Sequence, residues 1–164
     1  MFQILSRLDA LEARFKDIES TSQKYNNYQE VLQVQPTSFE NLDKVREDLT
    51  LRCLMWRSLR EWEESTEVWI NQQFNSINAK EIQQKADQFY KVCVRLEKNL
   101  PENPISSSLK EKVEQFRQAV PVVVALRNEN LLEQHWAEIK ALIGQEFNIA
   151  EEDFTLESLL RLNA

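Results

Sequence analysis

The stretch Glu40–Phe74, ENLDKVREDLTLRCLMWRSLREWEESTEVWINQQF, contains neither glycine nor proline. Its apolar residues fall on a stripe of mostly three-four spacing, Leu42, Val45, Leu49, Trp56, Leu59 and Ile70. A second set, Leu51, Leu54, Met55, Trp62 and Trp69, lies beside the first. Three-four spacing predicts a helix, here over residues 38–74. Two adjoining apolar stripes predict neighbours on two sides, and so the central, most buried helix of the chain. At about 1.5 Å per residue such a helix exceeds about 50 Å, whereas an ordinary globular helix has about 11 or 12 residues. A rod or bundle is expected.

Upstream, Ile4, Leu8, Leu11, Phe15, Ile18, Tyr25 and Leu32 keep heptad spacing and predict a helix over residues 2–32, with Ser22 and Gln29 weakening the stripe. It should stop at Gln33–Gln35, because the residue before Pro36 avoids the helical region. Thr37-Ser38-Phe39-Glu40 has the form of a capping box for the helix that follows. Downstream, Asn75–Asn78 is a break, and Asn78 with Glu81 reads as the next helix start. Ile82, Ala86, Phe89, Cys93, Leu96 and Leu100 then mark a helix over 79–99. Leu100–Ser108, with Pro101, Pro104 and three serines, reads as a bend. A shorter helix should carry Leu109, Val113, Phe116 and Val120, and Pro121 should open a separate buried helix through Val122-Val123-Val124. Leu131–Ile143 reads as a helix closed by Gly144. Phe147–Asp153 is a connector, and Thr155 opens a last helix with Leu156, Leu159, Leu160 and Leu162.

The expected fold is all-α: an elongated bundle of long antiparallel helices over 1–100, a Pro/Ser-rich bend at 101–108, and a segment of shorter packed helices over 109–164. Heptad spacing starts almost at Met1 without a cap, and the last helix stops directly after a leucine cluster. The segment therefore reads as part of a longer chain.

Composition agrees with this class. One glycine and four prolines in 164 residues leave little material for the tight turns of a sheet protein. The net charge is -7 with a pI near 4.9, and the basic residues are scattered among acids. Nucleic acid and anionic membranes attract basic surfaces, so neither is an expected partner. Apolar runs fall short of the roughly 20 residues a membrane helix needs, and the N-terminus lacks the pattern of a signal peptide. Cys53 and Cys93 are forty residues apart, form no CxxC, and read as reduced packing residues.

Catalytic chemistry has little to work with. His135 and Glu138 share a helix face, but a bundle metal centre needs two Glu-x-x-His units and further glutamates, and His135 is the one histidine. The cysteines lack zinc-ligand spacing. A single glycine excludes a phosphate-cradling loop. The carboxylates read as solvent-facing partners of basic residues, as in Glu12 with Lys16. No enzyme, cofactor or metal is expected. Four tryptophans stand out: Trp56, Trp62, Trp69 and Trp136. Indoles fill cores between long helices, and they also anchor interfaces. Trp56 lies on the main stripe and favours the core. Trp62 and Trp69 lie off it and are candidate interface anchors.

The final third carries a family resemblance. Val120-Pro121-Val122-Val123-Val124-Ala125-Leu126-Arg127-Asn128 leads into Leu131-Leu132-Glu133-Gln134-His135-Trp136, and then Phe154-Thr155-Leu156-Glu157-Ser158-Leu159-Leu160. This resembles the linker region of dynein heavy chains, in which a proline-led apolar segment and a Leu-Arg-Asn element precede an Arg-His-Trp motif and a Phe-Thr-Leu element with paired leucines. The Phe-Thr-Leu form is more similar to axonemal than to cytoplasmic dyneins. The resemblance marks Pro121, Leu126, Arg127, Asn128, His135, Trp136, Phe154, Thr155 and Leu156 as motif residues with structural roles. One departure is Gln134, which stands where the family has arginine.

The resemblance implies a non-catalytic, N-terminal part of a lever that bends and straightens over an ATPase ring. That AAA+ ring would lie downstream in the same heavy chain. Other dynein subunits would connect through the tail, the microtubule would be engaged only indirectly, and the expected location is a ciliary or flagellar axoneme. The competing expectation is a spectrin-like scaffold or protein-binding module, compatible with three long heptad helices. The last forty residues, with Pro121 and several short helices, fit a further repeat poorly.

Overall fold

With a single glycine to interrupt it, the backbone satisfies its hydrogen bonds almost wholly within helices. The computed structural model describes residues 1–128, 130–144 and 154–161. In chain order these form α1 (Phe2–Val31), α2 (Glu40–Asn71), a 3-10 turn (Phe74–Ser76), α3 (Ala79–Asn99), α4 (Pro104–Leu126), α5 (Glu133–Ile143) and α6 (Leu156–Arg161). Among the described residues, strand pairing is limited to one antiparallel bridge, Gln73 with Thr155.

The long helices run antiparallel in succession. Along α1, Asp9 and Glu12 meet Arg57, Glu19 meets Arg46, and Gln29 meets Thr37, so the partner recedes along α2 as α1 advances. Between α3 and α4, Asp87 pairs with Arg117 and Glu97 with Lys110. Met55 packs with Leu96 and Leu100 at one end of the α2–α3 contact, and Trp62 meets Phe89 further along.

α2 is the central helix, and it changes neighbours along its length. Its first two thirds pair with α1, while its later turns enter a core with α3, α4 and α6. Leu59, Trp62 and Trp69 are buried there, and Met55 in the smaller cluster with Leu96 and Leu100. α3 contributes Ile82, Ala86, Phe89 and Cys93, α4 contributes Leu109, Val113, Val120 and Val123, and α6 contributes Leu156 and Leu159. Side chains of four helices thus exclude water from one seam, which supplies the main stabilisation.

The α1 seam differs from the expected one. Leu8, Phe15, Ser22 and Gln29 are half-buried as the stripe requires, but Leu5, Glu12, Glu19 and Asn26 complete the buried side. Ile4, Leu11, Ile18, Tyr25 and Leu32 remain exposed. The rotation brings charge to the seam: Arg57 reaches Asp9 and Glu12, and Arg46 reaches Glu19, on the acidic side of α1. Glu12 therefore pairs with Arg57 rather than with the expected Lys16. The seam is largely polar. Leu5 is the only fully buried residue of α1, and Asn26 Oδ1 is buried without a partner among the described residues.

Several boundaries are corrected. α1 ends at Val31, one residue before the expected limit, in a turn with Gln33 in the left-handed region at φ 56. The N–H of Gln33 donates to Glu30 O (3.0 Å) and that of Val34 to Gln29 O (2.8 Å), a Schellman pattern that satisfies the last carbonyls. The Thr37 capping box does not form. α2 starts at Glu40 without a side-chain cap, because Thr37 is held by Gln29, whose Oε1 accepts the Thr37 N–H and whose Nε2 donates to the Thr37 hydroxyl oxygen, each at 2.9 Å. α2 also stops at Asn71 rather than Phe74. The bend narrows to 101–103: Pro104 occupies the first turn of α4, where its missing N–H costs nothing, and Asn103 Oδ1 caps it by accepting from Ser106 N–H at 2.9 Å. Pro121 does not open a new helix. α4 runs through it, because Val120 and Val123 continue the buried stripe of Leu109 and Val113 on both sides. Packing along one face outweighs the one backbone bond that proline removes. Other expectations hold: Asn78 caps α3 through Glu81 N–H, and Gly144 ends α5 at φ 71. Phe147–Asp153 and Leu162 lie outside the described residues.

Candidate functional site

The turn between α2 and α3 is where distant parts of the chain meet. Gln72 leaves α2 with extended backbone, the 3-10 turn follows, and Ile77 is extended again before the Asn78 cap. Phe74 and Ile77 point inward, at 1% and 4% exposure. Apolar residues at both ends of a short turn fold it onto the core rather than into water.

Two remote segments close on this turn. From the C-terminal side, Phe154 O accepts the N–H of Phe74 (2.9 Å), and Gln72 O accepts the N–H of Leu156 (3.3 Å). The Phe74 and Phe154 rings meet edge to face with centroids 5.8 Å apart, the arrangement favoured by aromatic quadrupoles. Thr155 starts α6 reciprocally with Ser158: the Ser158 N–H donates to Thr155 Oγ1 (3.4 Å), and the Thr155 N–H to Ser158 Oγ (3.5 Å). Leu156 is completely buried. From the other side comes Arg127, at the end of α4. Its Nε–H donates to Ile77 O (3.4 Å), and its guanidinium stands 5.8 Å from the Phe74 ring centre. That is within cation–π range.

The motif residues therefore divide. Arg127, Phe154, Thr155 and Leu156 converge on the turn. Leu126 and Trp136 are half-buried and pack against the same core. Asn128 and His135 do local work. Asn128 Oδ1 accepts the Asn130 N–H (3.0 Å) and its carbonyl accepts the Leu131 N–H (3.1 Å). His135 Nδ1 accepts the Leu132 N–H (3.0 Å) at the start of α5. Pro121 and Gln134 are exposed. Phe74 and Ile77, the hub of the arrangement, were not picked out from sequence. Their apolar character on either side of an Asn/Ser break was the available signal.

Trp62 and Trp69, expected as candidate interface anchors, are 3% and 7% exposed and lie inside the core. Trp62 meets Trp69, Phe89 and Phe116 edge to face at 6.0, 5.2 and 5.5 Å, and Trp69 stacks on Phe116 at 5.5 Å. Trp56, expected in the core, is only half-buried. Of the first stripe, Leu59 joins the core and Trp56 packs at its edge, while Trp62 and Trp69 of the second point into the bundle.

The electrostatics suit packing. Burial, reinforced at Cys53 by Glu12, pushes both Cys53 and Cys93 up to about 11, so neither thiol supplies a thiolate near neutral pH. Among the described residues, no three His, Cys, Asp or Glu side chains gather as metal ligands.

The family described as dynein heavy chain, N-terminal region 2, matches residues 42–164. The chain belongs to the dynein heavy-chain family. The match takes in α2 to α6, and with them the whole α2–α3 node, and leaves α1 outside. Human dynein axonemal heavy chain 6 is 31% identical over 95% of this chain, and mouse dynein axonemal heavy chain 2 is 30% identical over 78%. The Chlamydomonas reinhardtii dynein-1-beta heavy chain of the flagellar inner arm I1 complex is 25% identical over 96%. This dynein chain spans 4%, 3% and 4% of the length of these relatives, respectively.

Proposed function

We propose that this segment is a non-catalytic mechanical element of a dynein microtubule motor. It forms the N-terminal part of the linker lever that couples the tail to the AAA+ ring. The observation that carries this reading is α2, one uninterrupted helix of 32 residues that is shared between the α1 hairpin and the α3/α4/α6 core. It is about 48 Å long at 1.5 Å per residue. Force applied at one end of a continuous helix reaches the other without a hinge, provided packing holds it straight. The node at Phe74, Arg127 and Phe154 supports the same reading, because it ties the end of that helix to two later parts of the chain. The names of the relatives favour a ciliary or flagellar axoneme. Contact with other dynein subunits would run through the tail, and the microtubule would be reached through the rest of the motor.

The test is a flexible Gly-Ser insertion within α2, after Thr50, in the full-length heavy chain. Lever function predicts that microtubule-gliding velocity falls severalfold while nucleotide hydrolysis persists. Unchanged gliding, with the insertion verified, would sink the lever reading and leave a static scaffold.

A further inference from the structure

Among the described residues, the α1–α2 hairpin leaves a heptad stripe without a partner. Ile4, Leu11, Ile18, Tyr25 and Leu32 recur every seven residues and are 37%, 51%, 48%, 59% and 72% exposed. Ile18 and Tyr25 border a groove whose opposite wall is Phe39 and Leu42, with Arg14 and Asp17 at its outer edge. Isolated apolar side chains on a surface are ordinary, but a continuous row marks an interaction site. A period of seven over four intervals suits one kind of occupant, a helix supercoiled along the hairpin, because only a coiled-coil partner presents side chains at that repeat.

Charge narrows the occupant further. Residues four after each stripe position face α2, while those three after it flank the stripe on its other side. The first two outer positions are Arg7 and Arg14, and both are exposed. Neither carries an ion pair among the described residues, although Arg46, Arg52, Arg57, Arg60, Arg117 and Arg161 all do. In a chain of net charge -7, two unpaired arginines at heptad spacing beside an apolar row form an edge fitted to acidic residues.

We propose that the outer face of α1 is a docking surface for a third, amphipathic helix with apolar residues at heptad spacing and glutamate or aspartate along the edge that meets Arg7 and Arg14. The docked helix would complete a three-helix coil on α1 and α2. This surface does not depend on the lever reading, since it concerns the hairpin alone.

Two designed four-heptad peptides test it against the full 164-residue chain by fluorescence anisotropy at low salt. They share an apolar stripe and carry either glutamate or lysine on the flanks. The glutamate peptide should bind at least tenfold more tightly. Arg7→Glu/Arg14→Glu should reverse that preference, and Leu11→Ser/Ile18→Ser should abolish binding of both with unchanged helical circular dichroism. Binding of neither peptide, or equal binding of both, would overturn the proposal. A dimer in sedimentation equilibrium that Leu11→Ser/Ile18→Ser dissociates would also overturn it, since the face would then be occupied by a second copy.

Discussion

Phe74 and Phe154 are joined twice: the Phe74 N–H donates to Phe154 O at 2.9 Å, and the rings meet edge to face at 5.8 Å. They are eighty residues apart in sequence. Because the backbone bond survives truncation of the side chain, Phe154→Ala isolates the contribution of the ring. Phe154 is buried, so the loss should be about 3 kcal/mol or more, from transfer and cavity together. Urea unfolding measures it. Faster hydrogen exchange should follow at Phe74 and in α6 but not in α1.

The tryptophans give a paired prediction. Trp62→Ala removes the hub of three edge-to-face contacts and should cost about 3–5 kcal/mol. Trp56→Ala acts at a half-buried position and should cost less than half as much. Equal shifts in the unfolding midpoints of the two variants would contradict the placement of the indoles.

Pro121 sits inside α4 with an exposed side chain. Its ring denies Arg117 O a backbone partner. Pro121→Ala should restore that bond and raise stability by about 1–3 kcal/mol, read as a higher melting temperature. A fall would mean that the proline itself is needed for packing.

The two thiols predict a pH dependence. Each is held at about 11 in the folded chain against an ordinary value of 9.0. The folded value is the higher one, so the unfolded chain loses its protons first. The stabilisation is complete below about pH 9 and is lost as pH rises toward about 11. Unfolding free energy should decline across that window, and Cys53→Ala/Cys93→Ala should flatten the decline. Alkylation of native thiols at pH 8 should be far slower than after denaturation.

The α1 seam predicts the opposite sign at acid pH. The side-chain bond from Arg57 holds the Glu12 carboxyl below its ordinary value of 4.5. Its contribution is present above about pH 4.5 and lost as pH falls below it. Both partners are substantially exposed, so Arg57→Gln should cost no more than about 1 kcal/mol globally. Protection factors in α1, corrected for the intrinsic exchange rate, should nevertheless fall, both in that variant and on acidification.

Helix type and order were legible in the residues because periodicity is local: Ile82, Ala86, Phe89, Cys93 and Leu96 label the inner face of α3 without any knowledge of what covers it. Asn78 and Gly144 were legible for the same reason, since a cap is completed within one turn. Thr37 and Pro121 misled for the converse reason. Each carries a strong local signal, yet Gln29 claimed Thr37, and the stripe from Leu109 to Val123 carried α4 past the proline. The motif residues of the final third were marked in advance, but their meeting place was not, because Phe74 and Ile77 lie in a turn that has no period to read.

From sequence alone came an all-helical chain, the extent of its first three helices within a few residues, and the resemblance that its family membership bears out. These depend on spacing and backbone preference, which neighbours in sequence settle among themselves. Only the tertiary structure decided which of two adjacent stripes each helix would bury. A rotation of one residue position about the helix axis separates Ile4 from Leu5, and Trp56 from Met55. On α2 that choice follows the larger burial, with Trp62 and Trp69 meeting Phe89 and Phe116 across the bundle; on α1 the exposed ion pairs to Arg46 and Arg57 accompany it.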